Sequence, residues 1–227
     1  MRIVFLFDVD NTLVDNDHVA ADLRAHLDSE VGADCGGQYW ALFEELRDEL
    51  GYADYLGALQ RYRDQRPRDL RVLAVSHFLI SYPFANRLYP GSLDALDHCA
   101  AMGTTAILSD GDAVFQPRKI SRAGLYDAVG GRVLVYIHKE HELDDVIVRL
   151  PADHYVIVDD KVRILSAVKS AWGSRVTTVW PRQGHYALDA EDVVRYPAPD
   201  IAIERIGELV EYGADAVVAA ARTPTSG

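Results

Sequence analysis

The sequence predicts an α/β protein: a Rossmann-like parallel sheet of about five strands flanked by helices, with a small all-helical unit inserted near its start. Ile3-Val4-Phe5-Leu6-Phe7 is a continuous apolar run rich in β-branched and aromatic residues, the pattern of a strand buried on both faces. It stops abruptly at Asp8, Asp10 and Thr12. Far downstream, His154 to Val158 repeats the design and ends in Asp159-Asp160-Lys161. Between the first strand and the next, about Asp17 to Leu88, the residues follow helical rather than strand periods.

In an open α/β sheet, ligands sit beyond the carboxyl ends of the strands, which places Asp8 and Asp10 in that crevice. Asp and Asn also make ordinary turns. The second acidic strand end shifts the balance, because four carboxylates gathered at adjacent strand ends repel strongly unless a cation lies between them. Oxygen-only ligation of this kind suits Mg²⁺.

Asp8-Val9-Asp10-Asn11-Thr12 resembles the first motif of the haloacid dehalogenase superfamily, an apolar strand followed by Asp-x-Asp-x-Thr. The family's remaining motifs have counterparts in order: Thr105 to Ser109, a strand ending in a hydroxyl; Lys139; and the acidic strand end Asp159-Asp160. The resemblance implies that Asp8 is a nucleophile forming an aspartyl-phosphate and that Asp10 is a general acid and base. It implies Mg²⁺ held by Asp8, Asp10, Asp159 and Asp160, and substrate phosphate held by Thr12, Ser109, Asp110 and Lys139, with Thr12 also bracing the loop. Ser109 equally suits a helix N-cap. Lys139 is followed by Glu140 where the family more often has Pro. Lys119 competes for the same role but falls inside a predicted helix, Pro117 to Leu125, whereas Lys139 emerges after a strand.

The predicted core spans residues 1–15 and 89–221, the helical unit 16–88, and a disordered tail 222–227. Within the insert, one helix starts near Asn16 or Asp17 and breaks at Gly32 and Gly36-Gly37; another runs from Tyr39 to Leu50. A third spans about Asp54 to Arg63, and a fourth follows Pro67 and is closed by Pro83. By the resemblance this unit is a cap that closes over the crevice, with hinges near Leu13 to Asp17 and Ser81 to Tyr89.

Arg61, Arg63, Arg66, Arg68 and Arg71 place five arginines in eleven residues. They read either as an anion-selecting surface or as a solvated connection paired with Asp64 and Asp69. The aromatics Tyr39, Trp40, Phe43, Tyr52 and Tyr55 suit cap core or substrate platform. After the cap come a helix through Leu93 and Leu96, strands Thr104 to Leu108 and Val133 to Ile137, and a helix Glu142 to Arg149. A helix through Ile164 and Val168, a strand Val176 to Trp180, a loop carrying Arg182 and His185 that borders the crevice or is merely exposed, and a final helix Ile203 to Tyr212 complete the chain.

A net charge of −12 over 227 residues argues against a phosphate-backbone binder, so no nucleic-acid partner is expected. No long apolar span or signal-like start is present, so no membrane is expected and a cytoplasmic location is. Cys35 and Cys99 read as buried thiols, and His138 with His141 as a solvated pair. The expected activity is Mg²⁺-dependent removal of phosphate from a small phosphorylated metabolite. A phosphotransferase or mutase, a dehalogenase and a non-enzymatic phospho-acceptor are the alternatives.

Overall fold

The computed structural model describes residues 1–187 and 190–221. Strand β1 (Ile3–Phe7) lies at the centre of a six-stranded, all-parallel sheet of order β3-β2-β1-β4-β5-β6. Its odd residues Ile3, Phe5 and Phe7 join a core on one face, whereas Val4 and Leu6 join a second core on the other. Both faces are buried, which is why the run is apolar without alternation.

The helical insert follows. Helix α1 (Asn16–His26) continues through a wider π-type turn, Leu27–Val31, to Gly32, whose φ of 95° breaks the helix. Helix α2 (Ala33–Leu50) begins earlier than the predicted start near Tyr39, and Gly36-Gly37 is not a break but lies inside it. The reason is packing: a Cβ on Gly36 would sit 3.3 Å from Leu27 Cβ, so the glycine admits the preceding turn at close range. Helices α3 (Tyr55–Gln65) and α4 (Val72–Ser81) complete the insert. Its two connections to the core are bonded to one another. Val14 bridges Leu88, Tyr89 N–H donates to Leu13 O, and Asp15 N–H donates to Arg87 O.

The core resumes with α5 (Ser92–Ala100), β2 (Thr104–Asp110), α6 (Phe115–Arg122), α7 (Leu125–Ala128) and β3 (Val133–Tyr136). Then come α8 (Leu143–Arg149), β4 (His154–Val158), α9 (Val162–Trp172) and β5 (Val176–Pro181). The loop after β5 contains α10 (Gly184–Ala187) and α11 (Ala190–Arg195).

The predicted final helix Ile203 to Tyr212 is not there, and the sheet has six strands instead of about five. Strand β6 (Ile201–Ile203) is followed by a 3₁₀ segment, Ile206–Glu211, and by α12 (Ala214–Ala219). Buried Ile206 and Leu209 are three residues apart, a spacing that suits a 3₁₀ turn as well as an α-helix. The predicted tail, 222–227, lies outside the described residues. Among the described residues no helix is long and apolar enough to cross a membrane, and both cysteines are buried and free.

Candidate active site

Sheet register assembles the site. Phe7 pairs with Val158 on one side and Ile107 on the other, so Asp8 emerges beside Asp159, with Ser109 across it. This is the switch point of the sheet, from which β1, β2 and β3 run outward on one side and β4, β5 and β6 on the other, and where open parallel sheets form their crevice. Asn11 takes a left-handed φ of 59°, and Leu13 and Val14 N–H both donate to Val9 O, folding the first motif into a tight loop.

Lys139 Nζ lies 2.6 Å from both Asp8 Oδ1 and Asp159 Oδ2. Burial alone would pull the Lys139 pKa down, but Asp159, Asp8 and Asp110 together outweigh it and hold the ammonium well above the ordinary lysine range. Ser109 Oγ is 3.4 Å from Asp8 Oδ1 and also accepts from Gln116 Nε2 at 2.9 Å. Thr12 is fully buried; its hydroxyl accepts from Asp160 N–H at 3.1 Å and faces Asp8 Oδ2 at 3.5 Å. That geometry makes Thr12 a brace between two motif loops. Asp110 Oδ1 accepts from Lys139 N–H at 2.7 Å and so fixes the Lys139 loop.

Asp8, Asp159 and Asp160 each present one carboxylate oxygen within 4.8 Å of the others, and all three are buried. Neither Asp160 oxygen has a hydrogen-bond partner among the described residues. Burial raises Asp159 to about 6 against the pull of Lys139, and burial followed by the Asp159 charge raises Asp160 well above the carboxylate range. Buried, unpartnered carboxylate oxygens are costly unless a cation satisfies them, and an all-oxygen set fits a hard divalent ion. The Asp10 side chain is not in this cluster.

Asp10 instead faces α6. Lys119 Nζ is 2.6 Å from Asp10 Oδ1 and 3.0 Å from Asn16 Oδ1, and Gln116 Nε2 is 3.3 Å from Asp10 Oδ2. Gln116 and Lys119 are one helical turn apart, so one face of α6 holds the carboxylate. Sequence reasoning weighed Lys119 as a phosphate ligand; the structure pairs it with Asp10. Only the three-dimensional approach of α6 to the first motif shows this.

A cleft of about 190 Å³ separates the strand ends from the insert, with Asp10, Asp110 and Lys161 on the core side. The arginine run at 61–71 is absent from its lining. Arg61 pairs with Glu49 at 2.5 Å and Arg71 with Asp69 at 2.6 Å, so these two belong to the solvated-connection reading. Arg24 and Arg47, which no sequence signal singled out, line the cleft instead. His185 also lines it and meets Asp17 Oδ1 at 2.6 Å, whereas exposed Arg182 turns to Glu204. Trp40, Phe43, Tyr52 and Tyr55 line the cleft, and Tyr39 is buried behind them with its hydroxyl donating to Tyr55 O.

A parallel sheet with a buried aspartate cluster at its switch point defines the class, an α/β protein of Rossmann-like fold with an acidic strand-end site. The haloacid dehalogenase-like hydrolase profile matches residues 4–171, and the chain belongs to that family. A haloacid dehalogenase-like hydrolase from Burkholderia xenovorans LB400 shares 64% identity over 94% of this chain and 97% of that one, with a TM-score of 0.90. The HAD-hydrolase YfnB from Bacillus subtilis, bound to magnesium, is 17% identical over 92% and 97% of the two chains, with a TM-score of 0.63. L-2-haloacid dehalogenase from Xanthobacter autotrophicus, with chloropropionic acid covalently bound, is 20% identical over 93% and 98%, with a TM-score of 0.57. No curated protein matches the chain.

Proposed function

We propose that this hydrolase is a Mg²⁺-dependent phosphomonoesterase acting on a small phosphorylated metabolite, with Asp8 as nucleophile. The observation that carries the reading is Asp10, a second carboxylate two residues on, held at the cleft by Lys119 and Gln116. A phosphate ester needs a proton delivered to its leaving oxygen and later one removed from water. A halide leaves without a proton, so a dehalogenase has no such use for Asp10.

In this reading an Asp8 oxygen forms a bond to phosphorus as the ester P–O bond breaks, and Asp10 gives its proton to the departing oxygen. Asp10 then takes a proton from the water that cleaves the aspartyl-phosphate, returning Asp8 as a carboxylate and releasing phosphate. Lys139 and Ser109, which contact Asp8, would hold phosphoryl oxygens. Asp8, Asp159 and Asp160, with the Asp10 carbonyl, would hold Mg²⁺, which neutralises charge on the phosphoryl group when bound. Helices α1 to α4 act as a cap that sheds bulk water from the cleft.

The test is inorganic phosphate release from a panel of phosphomonoesters, with and without Mg²⁺, with Asp8→Asn as control. Mg²⁺-dependent release abolished by that substitution supports the reading. Phosphorylation of Asp8 without release would move it to a phosphotransferase, and halide release from a 2-haloacid to a dehalogenase.

A further inference from the structure

The cap side of the cleft holds a cation that no described residue neutralises. Arg47 lies 2.7 Å from Glu44, Arg163 is 2.5 Å from Glu140, and Asp17 is engaged by Asn11 and His185. The exposed side chain of Arg24, in the last turn of α1, makes no hydrogen bond or ion pair with any described residue. Its guanidinium carbon stands 3.9 Å from the centroid of the Trp40 ring. Trp40 is itself clamped edge-on by Phe43 and Tyr39, at 5.1 Å and 5.7 Å between centroids.

Stacking occupies the face of a guanidinium and leaves the N–H groups around its rim free. Those donors form a planar fork that matches a carboxylate or phosphate edge. Trp40 is 9% exposed and gives that guanidinium a fixed platform. Arg24 and Trp40 both line the cleft that holds Asp10 and Lys161.

We infer that Arg24, backed by the Trp40 ring, forms an anion subsite, which selects substrates carrying a second anionic group, carboxylate or phosphate, on the part that leaves. The identity of the reacting end rests on the phosphatase reading; the subsite itself is a matter of binding.

Calorimetry on the Asp8→Asn protein with Mg²⁺ separates the two. The probes are 3-phosphoglycerate against glycerol 3-phosphate, which differ at the far carbon by a carboxylate, and propanediol bisphosphate against its monophosphate. The acidic member of a pair binds at least about tenfold more tightly, as charge-assisted hydrogen bonds to an arginine fork require. The pair that shows the larger difference identifies the anion. Arg24→Ala in the same background removes the preference and Arg24→Lys keeps part of it. Equal affinities within both pairs, no binding of any probe, or a preference that survives Arg24→Ala overturns the subsite. A preference without phosphate release by the wild-type protein leaves the subsite standing and removes the phosphatase reading; release without preference does the reverse.

Discussion

Lys119 Nζ and Asp10 Oδ1 stand 2.6 Å apart, joining a helix of the core to the first motif loop. The lysine is 1% exposed, and its ammonium also reaches Asn16 at the start of α1. It thereby orients the carboxylate that meets the leaving oxygen in the proposed mechanism. Lys119→Met, similar in volume but without the charge, frees the Asp10 rotamer. Turnover is expected to fall by roughly 10–100-fold, with KM changing much less, because the loss is one of orientation. Steady-state kinetics on the preferred phosphomonoester checks this, and an unchanged turnover number removes Lys119 from the machinery.

Asp10→Asn keeps the shape of the side chain and both neighbours on α6 but cannot move a proton. Turnover should drop on the order of 10²–10⁴-fold while Mg²⁺ and substrate binding are nearly preserved. Binding measured beside turnover distinguishes this from a collapsed site, in which both would be lost.

Burial raises Asp159 to about 6 and raises Asp160 further. A carboxyl whose folded pKa exceeds its unfolded value, about 3.9, favours the folded state in its protonated form. That contribution is complete below the unfolded value and is lost as pH rises through about 6 for Asp159. Through this pair, the chelator-treated protein is expected to melt at lower temperature near neutrality than at about pH 5, the window set by these shifts. Mg²⁺ binds the ionised carboxylates, so its stabilising effect should grow over the same interval. Thermal melts across pH with chelator and with Mg²⁺ test both signs, and a Mg²⁺ effect that shrinks with rising pH would count against the acidic cluster as the metal site.

Gly103, just before β2, faces the backbone of β1: a Cβ there would stand 2.4 Å from Ile3 O. The obstacle is main chain in the central strand pair and cannot swing aside. Gly103→Ala is expected to cost about 1–3 kcal/mol through overpacking. Denaturant unfolding reads it directly, and a neutral result would mean that β1 and β2 can part locally without loss.

Cys99 is fully buried, and burial pushes its thiol up to about 12. Thiolate is the reactive form, so native Cys99 should resist a disulfide reagent near pH 8 and react at once on unfolding.

The sequence signalled the motif strands and four helices of the insert because those features are local: apolar runs that stop at carboxylates, and apolar residues at helical spacing. Ile201–Ile203 escaped because three residues carry too little pattern, and because Ile203, Ile206 and Leu209 recur at a spacing shared by two kinds of helix. Gly36 read as punctuation when it serves close packing against Leu27. The Lys119–Asp10 pair spans 109 positions, and nothing in the wording around Lys119 points across them. The arginine run drew attention by its density, but charge density along a chain does not say which face it occupies. Arg24, in the last turn of α1, is a cation at the cleft whose side chain pairs with no described residue.

The bonded linkers at Leu13 to Asp15 and Arg87 to Tyr89 have a consequence for how such a chain can change over generations. The insert departs from and returns to the core at adjoining points, so to the sheet it is the equivalent of one long hairpin loop. Closing a loop costs little more as it lengthens. The helices between the linkers are therefore a cassette: they can be lengthened, shortened or exchanged without re-registering β1 against β2 or β4. On the proposed function, chemistry and selectivity thus sit on separately replaceable parts, joined where Lys119 touches both Asp10 and Asn16.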